Sequence, residues 1–290
     1  MRLNREAKRI IKEALREDIG REDITTLFTI PVHTKTRAVI IAKEKGVLCG
    51  IDIVKAVFNE IRGKVRYHSL KSDGDTCRRD EKIIEISGDA RTILAGERVA
   101  LNFLSMLSGV ASTTRAFVEA TRGTHARILD TRKTTPTLRY FEKYAVRTGG
   151  GYNHRKSLGE AILVKDNHLR AGKFLQHGRL DAARMKYCIK CLRALPNTQI
   201  EIEVETLDEL SAVIQHKPDI VMLDNFEISQ MRKAVKFRNK NFPGVKLEAS
   251  GGVNLKTVRR IALTGVDFIS IGSITHSARA IDFSLEIAEV

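Results

Sequence analysis

Short apolar runs that alternate with helical stretches dominate the second half of the chain. Six runs are rich in β-branched residues and end in polar residues or glycine: 126–130, 161–167, 200–205, 219–225, 245–250 and 267–272. Helical spacing is found between most of them, at 137–147, 178–194, 206–216, 227–239 and 254–264. Strands that alternate with helices predict a parallel sheet with helices outside it. A closed barrel would need eight strands, so we expect an open or irregular α/β barrel.

The first 110 residues have a different pattern. Residues 3–18 place their apolar side chains on one helical face, and residues 51–62 also have helical spacing. Residues 36–42 and 82–86 are predicted strands, and a long helix is expected over 96–121, broken near Gly109. We therefore predict an α/β domain over residues 1–110 and a barrel domain over residues 111–290.

Charge is unevenly distributed along the 290 residues. The formal net charge is +15, and residues 121–193 contribute +12 of it. Such a segment predicts an anionic partner, which composition alone leaves open as nucleic acid, a membrane surface or a small polyanion. The longest uncharged stretch, 99–114, is shorter than the roughly 20 residues of a membrane-spanning helix. The N-terminus is charged throughout, so we predict a cytoplasmic protein.

Polar residues follow every predicted strand of the barrel. They are Asp130–Lys133, Lys165–His168, the alternating Glu201, Glu203 and Glu205, Asp224–Asn225, Ser250–Gly252 and Gly272–Ser273. Because parallel strands end at one edge of a barrel, we expect a single shared pocket there.

The residue types at these strand ends indicate a phosphate-containing polyanion. Ser250–Gly252 and Gly272–Ser273 each precede a predicted helix, and we favour phosphate binding over two ordinary turns. Inward-pointing acids on an internal strand need a cation, a metal or hydroxyl groups, and together with Asp224 they suit Mg²⁺ or a ribose diol. Arg132, Lys133, His154, Arg155 and Lys165 supply positive charge.

Motifs that occur in order along nearly the whole chain carry a family resemblance. They include DTRKTTP (130–136), GGGYNHR (149–155), LVKDNHL (163–169), IEVE (202–205), LDNF (223–226), EASGG (248–252) and ISIGSITH (269–276), with GERVALNFLSMLSGVAS (96–112) upstream. The sequence closely resembles the quinolinate phosphoribosyltransferase family. The resemblance implies an N-terminal α/β sandwich domain and an open, TIM-like α/β barrel of six to seven parallel strands, with a final helix that packs on the N-terminal domain.

The resemblance also implies a reaction. Quinolinate and 5-phosphoribosyl-1-pyrophosphate would give nicotinate mononucleotide, pyrophosphate and CO₂, with Mg²⁺ as cofactor. A homodimer is implied, or a higher oligomer, in which each active site includes residues of the partner subunit.

Roles for individual residues follow from their positions in the motifs. Arg132, His154 and Arg155 would hold quinolinate together with Arg98 from the partner subunit. Lys133 and Lys165 would contact the substrates, and Glu203 and Asp224 would bind the ribose hydroxyls directly or through Mg²⁺. The residues expected at or beside the 5-phosphate are Ser250, Gly251, Gly252, Gly272 and His276.

Three alternatives remain at this stage. A related phosphoribosyltransferase could use another aromatic acid, and a molybdenum-associated paralogue shares part of the motifs but typically lacks the lysine found here as Lys165. The pI of 9.8 suggests a nucleic-acid-binding module, but the 6% aromatic content and the absence of tryptophan argue against it.

Thr137 departs from the family pattern, which has glycine there. Cys188 and Cys191 form a C-x-x-C that we interpret as two helical thiols.

Overall fold

A computed structural model describes residues 3–176, 179–196 and 198–288. Its first elements are α1 (Arg5–Ile19), α2 (Ile24–Thr29), β1 (Lys35–Ala42), β2 (Gly46–Val47), α3 (Ile51–Asn59), β3 (Val65–Ser69), β4 (Thr76–Cys77), β5 (Lys82–Asp89) and α4 (Ala90–Ala120). The next are β6 (Arg127–Leu129), α5 (Arg139–Thr148), β7 (Ile162–Val164), α6 (Asp166–Ala171), β8 (Leu175–Gln176), β9 (Arg179–Leu180), α7 (Ala182–Arg193) and β10 (Ile200–Val204). The last are α8 (Leu207–Ile214), β11 (Ile220–Asp224), α9 (Ile228–Asn241), β12 (Lys246–Ser250), α10 (Val258–Ala262), β13 (Phe268–Ser270), α11 (Ser273–His276) and β14 (Phe283–Ile287).

Two compact units make up the chain. The first unit comprises Met1–Arg115, Thr134–Gly150 and Ser273–Val290, and the second comprises Ala116–Lys133 and Gly151–Gly272. The predicted domain boundary at residue 110 falls within helix α4, which is continuous in the structure.

The first unit contains a four-stranded antiparallel sheet in the order β14-β1-β5-β3. Asn4 caps the N-terminus of helix α1, because its side chain accepts a hydrogen bond from the Ala7 N–H, and the apolar face of the helix buries Ile10, Ile11 and Leu15. Alternation along β1 buries Ala38, Ile40 and Ala42 on one face of the sheet. The predicted amphipathic helix and both predicted strands of this region are confirmed.

Helix α4 corrects one expectation, because it runs through Gly109 without a break. A Cβ atom at Gly109 would lie 2.3 Å from the carbonyl oxygen of Arg279. Glycine therefore allows the backbone at 279–280 to approach the helix closely, instead of ending it. By length and composition α4 is apolar enough to cross a membrane, and 61% of its most apolar window is buried inside the protein.

The C-terminal segment corrects another expectation. No helix follows α11 in the residues that the structure describes, and the segment from Phe283 to Ile287 is strand β14, which pairs antiparallel with β1 from Ala38↔Ile287 to Ala42↔Phe283. This pairing satisfies the backbone N–H and C=O groups along an edge of β1 that would otherwise be exposed. A helix packed on the domain would leave those groups unpaired.

The second unit contains a six-stranded sheet in the order β6-β13-β12-β11-β10-β7. Every neighbouring pair in it is parallel. All six predicted barrel strands are confirmed. Beside β6, Tyr152 forms a single parallel bridge to Leu129, which extends the sheet by one residue in the direction of the expected seventh strand.

Helices flank most of these strands as predicted, with shifted ends. The spacing predicted a helix from residue 178, which lies outside the described residues, and helix α7 begins at Ala182. Of the helix predicted at 254–264, only α10 (Val258–Ala262) is helical. The elements α2, β2, β3, β4, α6, β8 and β9 were not predicted. Cys188 and Cys191 do lie on a helix, α7, as free thiols.

Candidate active site

Strand register aligns acidic residues on one face of the barrel sheet. Glu203 is paired with Met222, and Met222 is paired with Glu248. Asp224 and Ser250 are paired two residues further along β11 and β12. Paired residues of parallel strands point to the same face, and alternate residues return to it. Glu203, Asp224 and Ser250 therefore share one face of the sheet, whereas Ile202, Val204 and Leu223 point to the other.

Lys165 and Glu203 form an ion pair on this face. The ammonium nitrogen of Lys165, just after β7, lies 2.9 Å from Oε2 of Glu203 on β10. The Glu203 side chain is 8% exposed, whereas that of Lys165 is 44% exposed. The cation therefore extends from the buried carboxylate toward solvent, where it can meet an anionic ligand.

Asp224 lies at the end of β11, and its carboxylate accepts a hydrogen bond from the Asn225 amide at 2.8 Å. Asn225 has a φ of 55°, and its N–H donates to the carbonyl of Ser250. Gly251 is needed beside it, because a Cβ atom there would lie 2.1 Å from the Asn225 amide oxygen. The strand ends of β11 and β12 are thus fastened to each other.

The Ser250–Gly252 segment differs from its prediction. Gly251 and Gly252 both have positive φ, and the following helix starts only at Val258. The Asn254 N–H is engaged by the Thr257 hydroxyl at 3.0 Å. The segment is therefore a glycine turn and not the first turn of a helix, so any phosphate there would be bound by the turn itself.

Two arginines of this unit interact electrostatically. Arg132 and Arg155 are both half-buried. Burial lowers the pKa of Arg155, and repulsion from Arg132 lowers it further, while Glu201 opposes this change. The Arg155 guanidinium donates to the carbonyl of Ala161 at 2.9 Å. Two cations held near each other in a partly desolvated place favour an anion with more than one negative charge.

His154 points into the sheet toward two acids. Its Nε2 lies 2.9 Å from Oε2 of Glu201 and 3.8 Å from Oε1 of Glu248. Its Nδ1 accepts the Arg155 N–H at 2.8 Å. Both ring nitrogens are engaged by protein groups, so direct clamping of a ligand by His154 requires these hydrogen bonds to change.

Burial dominates the electrostatics of the two acids. It raises the pKa of Glu201 to about 8, an effect that Arg155 and Lys165 partly offset. Burial likewise raises the pKa of Glu248 to about 8, and the nearby Glu201 adds to the shift. The sequence pattern indicated that Glu201 points inward but did not single out Glu248. The signal was available, because Glu248 lies two residues before Ser250 and so shares its face.

The remaining candidate residues are Lys133, Gly272, Arg98 and His276. Lys133 is exposed in the second unit, where its N–H donates to the Thr131 hydroxyl at 3.0 Å, and Gly272 is half-buried at the end of that unit. Arg98 and His276 belong to the first unit. Arg98 is exposed on α4 and makes no ion pair within the described residues, and His276 lies in α11, next to the Ser277 hydroxyl.

The donor set of Glu203 and Asp224 fits Mg²⁺. They are two carboxylates on adjacent strands and on one face, and Mg²⁺ is usually held by one or two carboxylates together with waters and substrate phosphates. Within the described residues, they do not belong to a cluster of three close metal-ligating groups. An ion bound there would therefore depend on the substrate for part of its coordination.

Comparison with known proteins assigns the family. The model of the quinolinate phosphoribosyl transferase N-terminal domain matches residues 23–108, and that of the C-terminal domain matches residues 110–286. The chain belongs to the quinolinate phosphoribosyltransferase family. The resemblance stated from its motifs is confirmed.

Relatives of this family member match over nearly their full length. It is 39% identical to nicotinate-nucleotide pyrophosphorylase [carboxylating] of Mycobacterium leprae, with 97% of each chain covered. It is 38% identical to the probable enzyme of that name from Bacillus subtilis, over 97% of this chain and 93% of the relative.

Solved structures agree with the fold. The nicotinate-nucleotide pyrophosphorylase of Francisella tularensis is 38% identical and superposes with a TM-score of 0.89, covering 99% of this chain and 98% of the other. That of Ehrlichia chaffeensis is 39% identical, with a TM-score of 0.88, covering 99% and 100%. The predicted fold class, an α/β sandwich domain followed by an open α/β barrel, is confirmed for this member of the quinolinate phosphoribosyltransferase family.

Proposed function

We propose that this chain transfers the phosphoribosyl group of 5-phosphoribosyl-1-pyrophosphate to quinolinate, with loss of CO₂, to give nicotinate mononucleotide in de novo NAD synthesis. Beyond family membership, the observation that carries the proposal is the pair of half-buried arginines, Arg132 and Arg155, in the same unit as the Lys165–Glu203 pair. Quinolinate has two adjacent carboxylates, and two guanidinium groups can bind them bidentately.

The transfer step needs charge stabilisation on both sides of the bond that breaks. The pyridine nitrogen attacks C1 of the ribose, and the bond from C1 to the pyrophosphate oxygen breaks. Lys165 and Lys133 offset the negative charge that develops on pyrophosphate. Glu203 and Asp224 bind the ribose hydroxyls and stabilise positive charge on the sugar in the transition state.

Mg²⁺ in this proposal neutralises pyrophosphate charge when it is bound. Glu203 and Asp224 are the carboxylates that would hold it, directly or through water. Because Glu203 is already paired with Lys165, the ammonium group helps to orient this carboxylate on its face of the sheet.

Loss of CO₂ requires no base from the protein. After transfer the ring nitrogen is quaternary and positively charged, so the electron pair left at C2 when the adjacent carboxylate departs is stabilised by that charge. A proton from water then completes C2. The role of the chain is to hold the ring while the C2 carboxylate leaves, and Arg132 and Arg155 supply that hold.

The partner subunit completes the site in this proposal. Arg98 is exposed on α4 without an ion-pair partner in the described part of the chain, so its charge is available to a ligand bound by a second copy. Two copies would then form a homodimer with two shared sites, and a higher oligomer would be built from such dimers.

The proposal is tested by incubating purified protein with both substrates and Mg²⁺ and following nicotinate mononucleotide by chromatography. We expect product that disappears when either substrate or Mg²⁺ is omitted. Folded protein that makes no product from quinolinate, but makes a mononucleotide from another aromatic acid, would replace this proposal with that of a related phosphoribosyltransferase. RNA binding with a steep salt dependence and no turnover would favour the nucleic-acid-binding module.

A further inference from the structure

The peptide between His154 and Arg155 is held from several directions. The His154 N–H donates to Oδ1 of the buried Asp130 at 2.8 Å. The Arg155 N–H donates to Nδ1 of His154 at 2.8 Å. The Arg155 guanidinium donates to the carbonyl of Ala161. The direction in which Arg155 presents its charge therefore depends on where the imidazole ring is held.

The hydrogen bond to Nδ1 fixes the tautomer of His154. A backbone N–H can only donate, so Nδ1 must be the acceptor and the proton of the neutral ring lies on Nε2. Nε2–H then donates to Oε2 of Glu201 at 2.9 Å. Glu201 is 3% exposed on β10, so no bulk water can replace its carboxylate as the acceptor.

A metal ion is a poor occupant for this cluster, although the ligand atoms of His154, Glu201 and Glu248 lie within 4.8 Å of one another. A metal bound to Nε2 of a neutral ring would move the ring proton to Nδ1. There it would oppose the Arg155 N–H, which already points at Nδ1. His154 and Glu201 therefore form a hydrogen-bonded support with Glu248 beside it, and not a cation site.

We propose that Glu201 is a positioning residue for the quinolinate subsite: it holds the His154 ring, and the ring holds the backbone of Arg155 so that the guanidinium meets the dicarboxylate. This inference rests on the proposed function. Glu201 touches neither substrate in this account, so its loss should weaken quinolinate binding and leave the interaction with 5-phosphoribosyl-1-pyrophosphate nearly unchanged.

Two substitutions at Glu201 separate positioning from charge and from folding. Glu201→Gln keeps an oxygen acceptor for Nε2–H, whereas Glu201→Leu removes the acceptor at similar size. We expect Glu201→Leu to raise the KM for quinolinate about tenfold or more, with the KM for 5-phosphoribosyl-1-pyrophosphate within about twofold of wild type. Glu201→Gln should stay within about threefold of wild type for both substrates.

A double-mutant cycle with His154 tests whether Glu201 acts through the ring. In a His154→Ala background the further change Glu201→Leu should have no additional effect on the KM for quinolinate, because the group that it positions is gone. Additive effects, an unchanged KM in Glu201→Leu, or an equal loss in Glu201→Gln would each overturn the inference. If Glu201→Leu does not fold, the test relies on His154→Ala and Glu201→Gln. In that case an unchanged KM for quinolinate in His154→Ala also overturns the inference.

A readout without turnover separates this inference from the proposed function. Nitrogen NMR of the imidazole should show a protonated Nε2 for His154 in wild type and in Glu201→Gln. A protonated Nδ1 in wild type would overturn the inference even if the enzyme turns over quinolinate. Wild-type protein that has the expected tautomer but lacks turnover would count against the proposed function instead.

Discussion

At the scale of single residues, backbone conformation and burial explain side chains whose roles sequence could not supply. Glu248 is fully buried because its strand register turns it to the inner face, next to His154 and Glu201. Thr137 shows the opposite limit, since the family resemblance implies glycine at its position but does not give the energetic cost of the threonine. In the structure Thr137 is exposed, with a φ of 68°. A β-branched residue in the left-handed region is strained.

We expect Thr137→Gly to stabilise the protein. The left-handed conformation costs a non-glycine residue about 1–2 kcal/mol, and the greater freedom of glycine in the unfolded chain returns part of that gain. The net rise in the free energy of unfolding should be about 0.5–1 kcal/mol, measured by urea denaturation. As a control, Thr25→Gly in helix α2 should destabilise. A loss of stability in Thr137→Gly would show that threonine makes contacts that outweigh the strain.

At the scale of elements, the hydrophobic pattern predicted the six barrel strands because each is a short β-branched run buried on at least one face. The same reasoning failed for β14, since the segment from Phe283 to Ile287 has no turn signal on its C-terminal side and its partner β1 is more than 240 residues away in sequence. It also failed at Gly109, where a glycine inside a helical pattern was interpreted as a break. Long-range pairing and close approach depend on the whole fold, which local periodicity does not contain.

Gly109 tests the packing account of helix α4. Although alanine has a higher helix propensity, a Cβ at this position would lie 2.3 Å from the Arg279 carbonyl oxygen. We expect Gly109→Ala to lower the free energy of unfolding by about 2–3 kcal/mol. Gly244→Ala is a matched control, because a Cβ there would meet no atom within 4 Å. Equal stability of Gly109→Ala and wild type would contradict the close approach.

Buried acids on β10 and β12 predict a pH-dependent stability. The pKa of Glu248 is raised from 4.5 to about 8. Its contribution to the free energy of unfolding is therefore complete below pH 4.5 and is lost as the pH rises toward 8. Glu248→Gln cannot ionise and does not lose this stability. Between pH 5 and pH 8 the free energy of unfolding of the variant, relative to that of wild type, should therefore rise by on the order of 2 kcal/mol. Urea denaturation at both pH values measures this difference.

The exposed Glu85 on β5 provides the control for that experiment. Glu85→Gln should keep a constant difference from wild type at the two pH values. If Glu248→Gln and wild type respond to pH in parallel, then Glu248 does not carry the burial cost assigned to it.

At the scale of the whole molecule, the charge of the chain matches the chemistry of the proposed substrates. Part of the candidate site was predictable from the strand ends, because parallel topology brings Lys165, Glu203 and Asp224 together. Arg98 could be connected with that site only through the family resemblance. It belongs to the first unit, and its proposed role depends on a second copy of the chain.

Mixed dimers test whether Arg98 acts in the partner's site. Arg98→Ala and Lys165→Ala should each have little activity as homodimers. In a heterodimer, one site would contain both changes and the other would contain neither. Random mixing of equal amounts makes half of the dimers mixed, so about a quarter of wild-type activity should return.

The mixed-dimer experiment requires one control and has one outcome that contradicts the proposed role of Arg98. Separate tags on the two chains must first prove that heterodimers form. No recovery in proven heterodimers would mean that Arg98 serves its own subunit or has no role in the reaction.

Release of an isotope label from quinolinate is a direct test of decarboxylating transfer. Quinolinate labelled in its C2 carboxylate is incubated with the protein, Mg²⁺ and 5-phosphoribosyl-1-pyrophosphate, and labelled CO₂, pyrophosphate and nicotinate mononucleotide are quantified together. We expect equal amounts of all three products, and no labelled CO₂ when 5-phosphoribosyl-1-pyrophosphate is left out. Labelled CO₂ formed without that substrate, or pyrophosphate formed while the label stays on the ring, would contradict it.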